Sequence, residues 1–183
     1  MKLLLRYILL LIACLFCGWT QAVLPQNKVL RNDIRTLRTE QAGALTPMPV
    51  LTLHSQDRVV VSFDQMSHEG HRFFYRVQHC NFLWQTTDGL FQNEFVESNQ
   101  EDNWINKGVE SQNTTTLYTH YQFTFPNAEV YPLISGNYLL TIYDDAAASP
   151  EAVAEVRIRM VEPLVNISGR VLTNTDIDWN AAH

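Results

Sequence analysis

The residues best suited to metal binding or catalysis in this chain of 183 residues are its histidines and one cysteine. They are spread over the middle of the sequence as His54, His68, His71, His79, Cys80 and His120. A structural zinc site usually shows two closely spaced ligand pairs, and this spacing does not supply them. The pattern predicts surface positions on a polar turn for His68 and His71. It places His79 and Cys80 in the core or at its rim.

Nucleophilic catalysis would need one of these groups beside a positioned base and an orienting partner, and the local sequence suggests no such arrangement. The chain has no G-x-S-x-G elbow, no phosphate-binding glycine loop and no H-E-x-x-H motif. Gly136 stands alone and is interpreted as a turn glycine. The sequence therefore predicts a protein that is not an enzyme and needs no cofactor. A secreted hydrolase using His79, Cys80 or His120 is kept as a rival hypothesis.

Carboxylates gather in the polar region that follows these residues, as Glu97, Glu101 and Asp102. Such a cluster could bind calcium, but the usual alternation of oxygen ligands is missing. A solvated loop is therefore the favoured interpretation, and no metal ligand is assigned.

Aromatic residues in the same region give a stronger reason to expect binding: Trp84, Phe91, Phe95 and Trp104. Such side chains stack on sugar rings or anchor protein partners, and they also pack long loops onto a domain. The alternative function that follows is a secreted carbohydrate-binding or adhesion module. No residue is assigned to partner binding.

The first residues have the pattern of an export signal from Met1 to Ala22. Lys2 and Arg6 precede a short apolar run, and small residues follow it. Removal of this segment would leave Cys80 as the only thiol, so no intrachain disulfide could form. Leu11 to Cys14 also resembles a lipobox. Because the apolar run continues beyond it, lipid anchoring at Cys14 is the less favoured alternative.

Charge and composition limit the classes of function that the sequence allows. Without Lys2 and Arg6, 11 of the 13 basic residues remain against 19 acidic ones, so the formal net charge falls from -6 to -8. An acidic chain has little electrostatic reason to bind nucleic acid or an anionic membrane surface. Hydrophobic residues make up 46% of the chain and charged residues 17%, which predicts a folded domain. No later segment approaches the ~20 apolar residues of a membrane span.

Period-two alternation of apolar residues, broken by turn residues, predicts β-strands throughout. The inward sets are Val59, Val61 and Phe63; Phe73, Tyr75 and Val77; Tyr121, Phe123 and Phe125; and Ala154, Val156, Ile158 and Met160. Shorter strands are expected near 34–38, 50–53 and 138–143. Between Trp84 and Thr116 the alternation disappears, which predicts a long loop folded back onto the body of the domain.

Strands at this spacing without covering helices indicate an all-β fold, an antiparallel immunoglobulin-like β-sandwich, over residues 23–161. Glu162-Pro163 marks its boundary, because proline cannot donate a hydrogen bond within a sheet. Val165, Ile167 and Val171 then begin another strand-like pattern. Residues 162–183 are therefore interpreted as the start of a second, truncated β domain.

Several segments together resemble a known family. They are Pro49 to Leu53, Val59 to Asp64, Tyr75-Arg76-Val77-Gln78-His79-Cys80-Asn81 with Trp84, Gln112-Asn113-Thr114-Thr115 with Tyr118-Thr119-His120-Tyr121, Pro126-Asn127, and Ser135-Gly136-Asn137-Tyr138. This pattern is similar to the N-terminal domain of the type IX secretion system Plug protein of Bacteroidota. The resemblance covers roughly Ile34 to Val161.

The resemblance implies a periplasmic protein that associates with the outer-membrane β-barrel translocon of that system. Proteins of this kind close the periplasmic side of the channel when no substrate occupies it. The implied mechanism is steric, so it requires no catalytic residue. It implies no nucleic-acid partner and no direct membrane span.

Overall fold

Strands make up most of the computed structural model, which describes residues 26–146, 149–165 and 167–169. We number thirteen strands and one four-residue helix in this part of the chain. The strands are β1 (Lys28–Val29), β2 (Ile34–Gln41), β3 (Ala44–Leu45), β4 (Val50–Thr52), β5 (Val59–Gln65), β6 (Phe73–Cys80), β7 (Val96–Ser98), β8 (Asn103–Trp104), β9 (Val109–Glu110), β10 (Thr119–Phe125), β11 (Val130–Pro132), β12 (Gly136–Asp144) and β13 (Glu151–Val161). The helix, α1, is Gln92–Phe95.

Two sheets enclose the hydrophobic core. Sheet A has the strand order β1-β13-β12-β6-β8, with β4 also paired to β13, and sheet B has the order β3-β2-β5-β10-β9. A small two-stranded sheet joins β11 to β7. The prediction of an all-β sandwich is confirmed, with one exception to its antiparallel pairing. Strand β4 runs parallel to β13.

The four inward sets that period-two alternation predicted face the core. Every residue of the four inward sets is buried. Val153 is buried as well, although it interrupts the alternation of β13. The pairing of β12 with β13 shifts between Ile142 and Tyr143, and this bulge lets two successive residues, Val153 and Ala154, point inward.

Two further strand positions are buried although neither belongs to the four inward sets. Phe74 lies on the outer side of sheet A but is only 1% exposed, because other aromatic side chains cover it. Asp144, a carboxylate, is the buried last residue of β12. Its burial is explained by an ion-pair network described below.

The region between Trp84 and Thr116 is more regular than the predicted loop, since it contains α1, β7, β8 and β9. The prediction that it folds back is confirmed at Phe95, which is buried in the core. The hydroxyl of Tyr138 lies 2.9 Å from the carbonyl oxygen of Phe95 and fastens the helix to β12. Phe91, at the other side of the helix, is 74% exposed.

The ends of the chain lie partly outside this description. The predicted signal at 1–22 and Cys14 fall outside the described residues. Strand β13 ends at Val161, immediately before the predicted boundary. The described residues after it, 162–165 and 167–169, are not in a strand, and Val171 lies outside the description. The second domain stays a prediction. Within the described ranges, no helix is long and apolar enough to cross a membrane.

The buried tyrosines should make the stability of the domain depend on pH in the alkaline range. Burial raises the pKa of Tyr75 to about 12 and also raises the pKa of Tyr121 and Tyr138. The unfolded chain ionises its tyrosines near pH 10, so the stability that the three folded tyrosines contribute is fully present below that pH and is lost as the pH rises toward 12. Each tyrosine contributes at most about 1.4 kcal/mol per pH unit. Urea unfolding followed by circular dichroism across this range measures the slope.

A matched variant tests the cause of that slope. Tyr75→Phe removes one of the three groups and should make the alkaline loss of stability shallower than in the unsubstituted protein. An identical slope in both proteins would contradict the assignment to Tyr75.

Candidate interaction surface

His79 has a structural role at the end of β6. Its Nδ1 lies 2.9 Å from the hydroxyl of Thr87, and its Nε2 faces Gly136. A Cβ atom at Gly136 would come within 2.2 Å of that nitrogen, and the φ of Gly136 is +150°. Glycine is therefore required here both by conformation and by the space that the imidazole occupies.

Cys80 and His79 cannot form a nucleophile and base pair. Neighbouring residues of a strand point to opposite faces, so the imidazole faces the core side and the thiol the outer side of sheet A. Burial raises the pKa of the Cys80 thiol, which keeps it neutral. This arrangement removes the local basis for a Cys-His hydrolase.

His120 takes part in a contact across three strands of sheet B. Its Nδ1 lies 2.6 Å from Asp64 Oδ1, and the hydroxyl of Thr36 donates to the other carboxylate oxygen. The carboxylate stands between the imidazole and the hydroxyl, so no hydroxyl is placed against the histidine for activation. The contact ties β2, β5 and β10 together, and it holds Thr36 at a φ of +55°.

A cluster of charged side chains lies where β12 ends. Asp144 is 1% exposed. Its Oδ2 lies 2.8 Å from the guanidinium of Arg31 and 2.6 Å from Nδ1 of His71. Arg31 also binds Asp33 at 2.6 Å, and this lowers the pKa of the Asp33 carboxyl. His71 thus lies in a structural ion-pair network rather than on the solvated turn that was expected. Its neighbour His68 is half-buried and contacts Ser111.

Two of the three acidic residues considered as a possible calcium site, Glu101 and Asp102, bind an arginine. Asp102 lies 2.6 Å and Glu101 3.6 Å from Nε of Arg76. The hydrogen bond to Asp102 raises the pKa of Arg76, so its guanidinium stays charged. In the ranges that the structure describes, no three His, Cys, Asp or Glu side chains are grouped so that they could hold a metal ion.

The outer face of sheet A carries a row of aromatic rings, and arginine guanidinium groups lie over the rings. Trp104, Phe74 and Tyr143 lie side by side on β8, β6 and β12, with ring centroids 5.2 and 5.3 Å apart. The guanidinium of Arg72 is 4.2 Å from the Trp104 ring centre, and that of Arg76 is 5.2 Å from the Tyr143 ring centre. Each such contact contributes about 0.5 to 2 kcal/mol, according to its exposure. The row is therefore held in a fixed arrangement.

A second arginine and aromatic pair lies further along the same face. Trp84, in the loop that follows β6, places its ring 5.3 Å from the guanidinium carbon of Arg157 on β13. The side-chain oxygen of Asn81 accepts the N–H of Leu83 at 2.8 Å and orders this loop. Phe82 and Leu83 project from it and are 83% and 60% exposed.

Trp, Tyr and Arg are the residues most enriched where protein interfaces gain their binding energy. Sugar binding needs an open aromatic face, but arginines lie over the Trp104 and Trp84 rings. The outer face of sheet A is therefore the better candidate for a protein interface. A cleft of about 380 Å³ borders it at Trp104, and Arg72 and Lys107 are among its lining residues.

Sequence reasoning identified the tryptophans of this surface but missed the side chains that organise it. Phe74, Arg76 and Tyr143 lie at the outward positions of β6 and β12. The available signal was their recurrence at every second residue on a face where small polar residues are usual. Their partners across the sheet could not be read from local sequence.

The whole sandwich from β2 onward matches one family model. That model is described as the type 9 secretion system plug protein 1st domain, and it matches residues 34–162. A comparison with curated proteins gives no match.

A solved structure is also similar, the crystal structure of a hypothetical protein from Parabacteroides merdae ATCC 43184 at 2.30 Å resolution. The TM-score is 0.71 and the sequence identity 31%, over 84% of this chain. The chain spans only 38% of that protein.

Proposed function

Because the chain belongs to the family of the type 9 secretion system plug protein, through its first domain, we propose that it closes the periplasmic side of the outer-membrane translocon channel. The observation that carries this proposal is the extent of the match. Residues 34–162 include every strand from β2 to β13, so the resemblance covers the sandwich apart from the two-residue strand β1. In this proposal the protein is exported, periplasmic and not an enzyme.

The mechanism needs only a stable body and a surface that holds it in place. The interior of the sandwich is close-packed, so the folded domain itself blocks passage. Among the groups considered for catalysis or metal binding, His79 and His120 bind other side chains and Asp102 binds Arg76. The Cys80 thiol is buried. The outer face of sheet A offers anchoring side chains for association with the translocon. Release would accompany the arrival of a substrate.

Deletion of the gene, combined with purification of the translocon from native membranes, tests the proposal. The barrel should copurify with the tagged full-length protein, and deletion should increase the entry of small, normally excluded dyes into the periplasm. Complementation with a Cys80→Ser, His120→Gln variant should restore the seal, because no catalytic group is involved. Absence of the barrel from the purified material, with unchanged leakage on deletion, would refute the function.

A further inference from the structure

We propose that the outer face of sheet A is the docking surface of this domain, and that it binds an acidic segment of the translocon protein. This inference rests on the proposed function and specifies the chemistry of the contact. The segment would carry Asp or Glu side chains around an apolar centre.

Pairing registers place the outward side chains of sheet A in rows that cross the strands. One row contains Trp104, Phe74 and Tyr143, and another contains Gln78, Leu139 and Arg157. Adjacent side chains in such rows are within contact distance. The row between them contains Arg76, Thr141 and Glu155. The face therefore combines aromatic and guanidinium groups with a few polar side chains and one carboxylate, and Trp84 lies over one end of it at Arg157.

The corresponding face of sheet B has a different composition. Its outward positions on β2, β5 and β10 include Arg38, Ser62 and Gln122, which are paired across the sheet. On these three described strands, no Trp, Tyr or Phe side chain points outward. A solvated face of an antiparallel sheet usually has this polar character. The aromatic and arginine composition of sheet A is thus a property of one face and not of the domain as a whole.

The arginines of sheet A differ in whether they have an acidic partner within the domain. Arg76 binds Asp102, and Arg157 approaches Glu155 at 4.0 Å. Arg72 and Arg159 form no ion pair with any carboxylate in the described part of the chain. In a chain with a formal net charge of -6, two such guanidinium groups at an aromatic face favour a partner that supplies carboxylates.

Stacking prepares Arg72 for such a partner. Its guanidinium already lies 4.2 Å from the Trp104 ring centre, which restricts the side chain before binding. A restricted side chain loses less conformational entropy when it binds a carboxylate. Trp104 is 43% exposed and can contribute apolar contact beside the same charge. The pair therefore offers a charged and an apolar contact at one position.

Site-specific photocrosslinking in cells can distinguish the two faces. Gln78 on β6 and Gln122 on β10 are both exposed glutamines within a strand, on the outer faces of sheets A and B. A photoreactive residue at Gln78 should crosslink to the barrel, at a segment rich in Asp and Glu, whereas one at Gln122 should not. Crosslinking from Gln122 alone would overturn the assignment of the face while the association itself stands. A crosslink from Gln78 to a segment without acidic residues would overturn the charge argument.

Charge reversal tests the same inference by affinity. The double variant Arg72→Glu, Arg159→Glu should weaken association with the purified barrel at least about tenfold and reduce its dependence on salt. The control Arg35→Glu, Arg38→Glu makes the same change in net charge at exposed positions of sheet B and should stay within about twofold of the unsubstituted protein. Both double variants must have the same melting temperature as the unsubstituted protein. Equal weakening by the two variants would overturn the inference. Absence of the barrel with unsubstituted protein would overturn the proposed function as well.

Discussion

Replacement of Val156 by Asp is expected to abolish cooperative folding of the domain. Val156 is 0% exposed in the middle of β13, and its neighbours across the sheet are core residues of β12. A carboxylate placed there would have no ionic partner and would lose its hydration, which costs several kcal/mol. A domain is typically stable by about 5 to 15 kcal/mol, so most of the stability would be lost. Ile158→Asp should have the same result, because Ile158 is also 0% exposed.

Val161→Asp is the matched control for this prediction. It makes the same chemical change in the same strand, but Val161 is 41% exposed and its side chain reaches water. We expect a cost of about 1 kcal/mol or less at this position. Thermal and urea unfolding of the three proteins, followed by circular dichroism, gives the comparison. A cooperative transition in Val156→Asp close to that of Val161→Asp would show that the assigned inward face is wrong.

The inward faces of the long strands could be predicted because they depend on local alternation alone. In β10, for example, Tyr121, Phe123 and Phe125 alternate with polar residues, and a strand with one buried face requires this pattern. Val153 escaped prediction because its burial depends on a bulge in the pairing with β12. A bulge depends on how two strands pair, so the sequence of one strand alone does not reveal it.

For a similar reason, the pairing of distant strands could not be predicted from local sequence. The parallel pairing of β4 with β13 places Val50 beside Arg159 and is a matter of global topology. The irregular stretch after Trp84 was expected to be a loop because its strands have only two or three residues. Such short elements do not show a period, and tertiary contacts decide their conformation.

The sequence predicted that large aromatic residues contribute to the candidate surface, but it did not predict how they are arranged. Trp84 and Trp104 were identified because large aromatic residues in a polar region need an explanation. Their arginine partners were missed, since Arg157 is far from Trp84 in sequence and meets it only across the face of sheet A. The family, in contrast, was identified from short segments, and the match over residues 34–162 confirms it.

Asp144→Ala is expected to destabilise the domain by about 3 kcal/mol. The Asp144 carboxylate is 2% exposed and accepts from Arg31, His71 and the backbone N–H of Ala146, at 2.8, 2.6 and 3.0 Å. Its removal leaves these donors without their acceptor in a place that water scarcely reaches. Loss of one partner of a buried ion pair costs about 3 to 5 kcal/mol. We expect the lower end because Arg31 keeps Asp33 as a second partner.

Glu151→Ala provides the contrast, since Glu151 binds the same guanidinium at 3.3 Å but is 57% exposed. Solvent screens that pair, so its loss should cost less than about 1 kcal/mol. Both substitutions remove one carboxylate from Arg31 and change the net charge equally. A difference in the free energy of unfolding measured by urea titration therefore reports burial and not charge. Equal costs would contradict the network, because they would mean that Asp144 is as well solvated as Glu151. The expected excess for Asp144 would establish that this network fixes the end of β12 to the turn before β2.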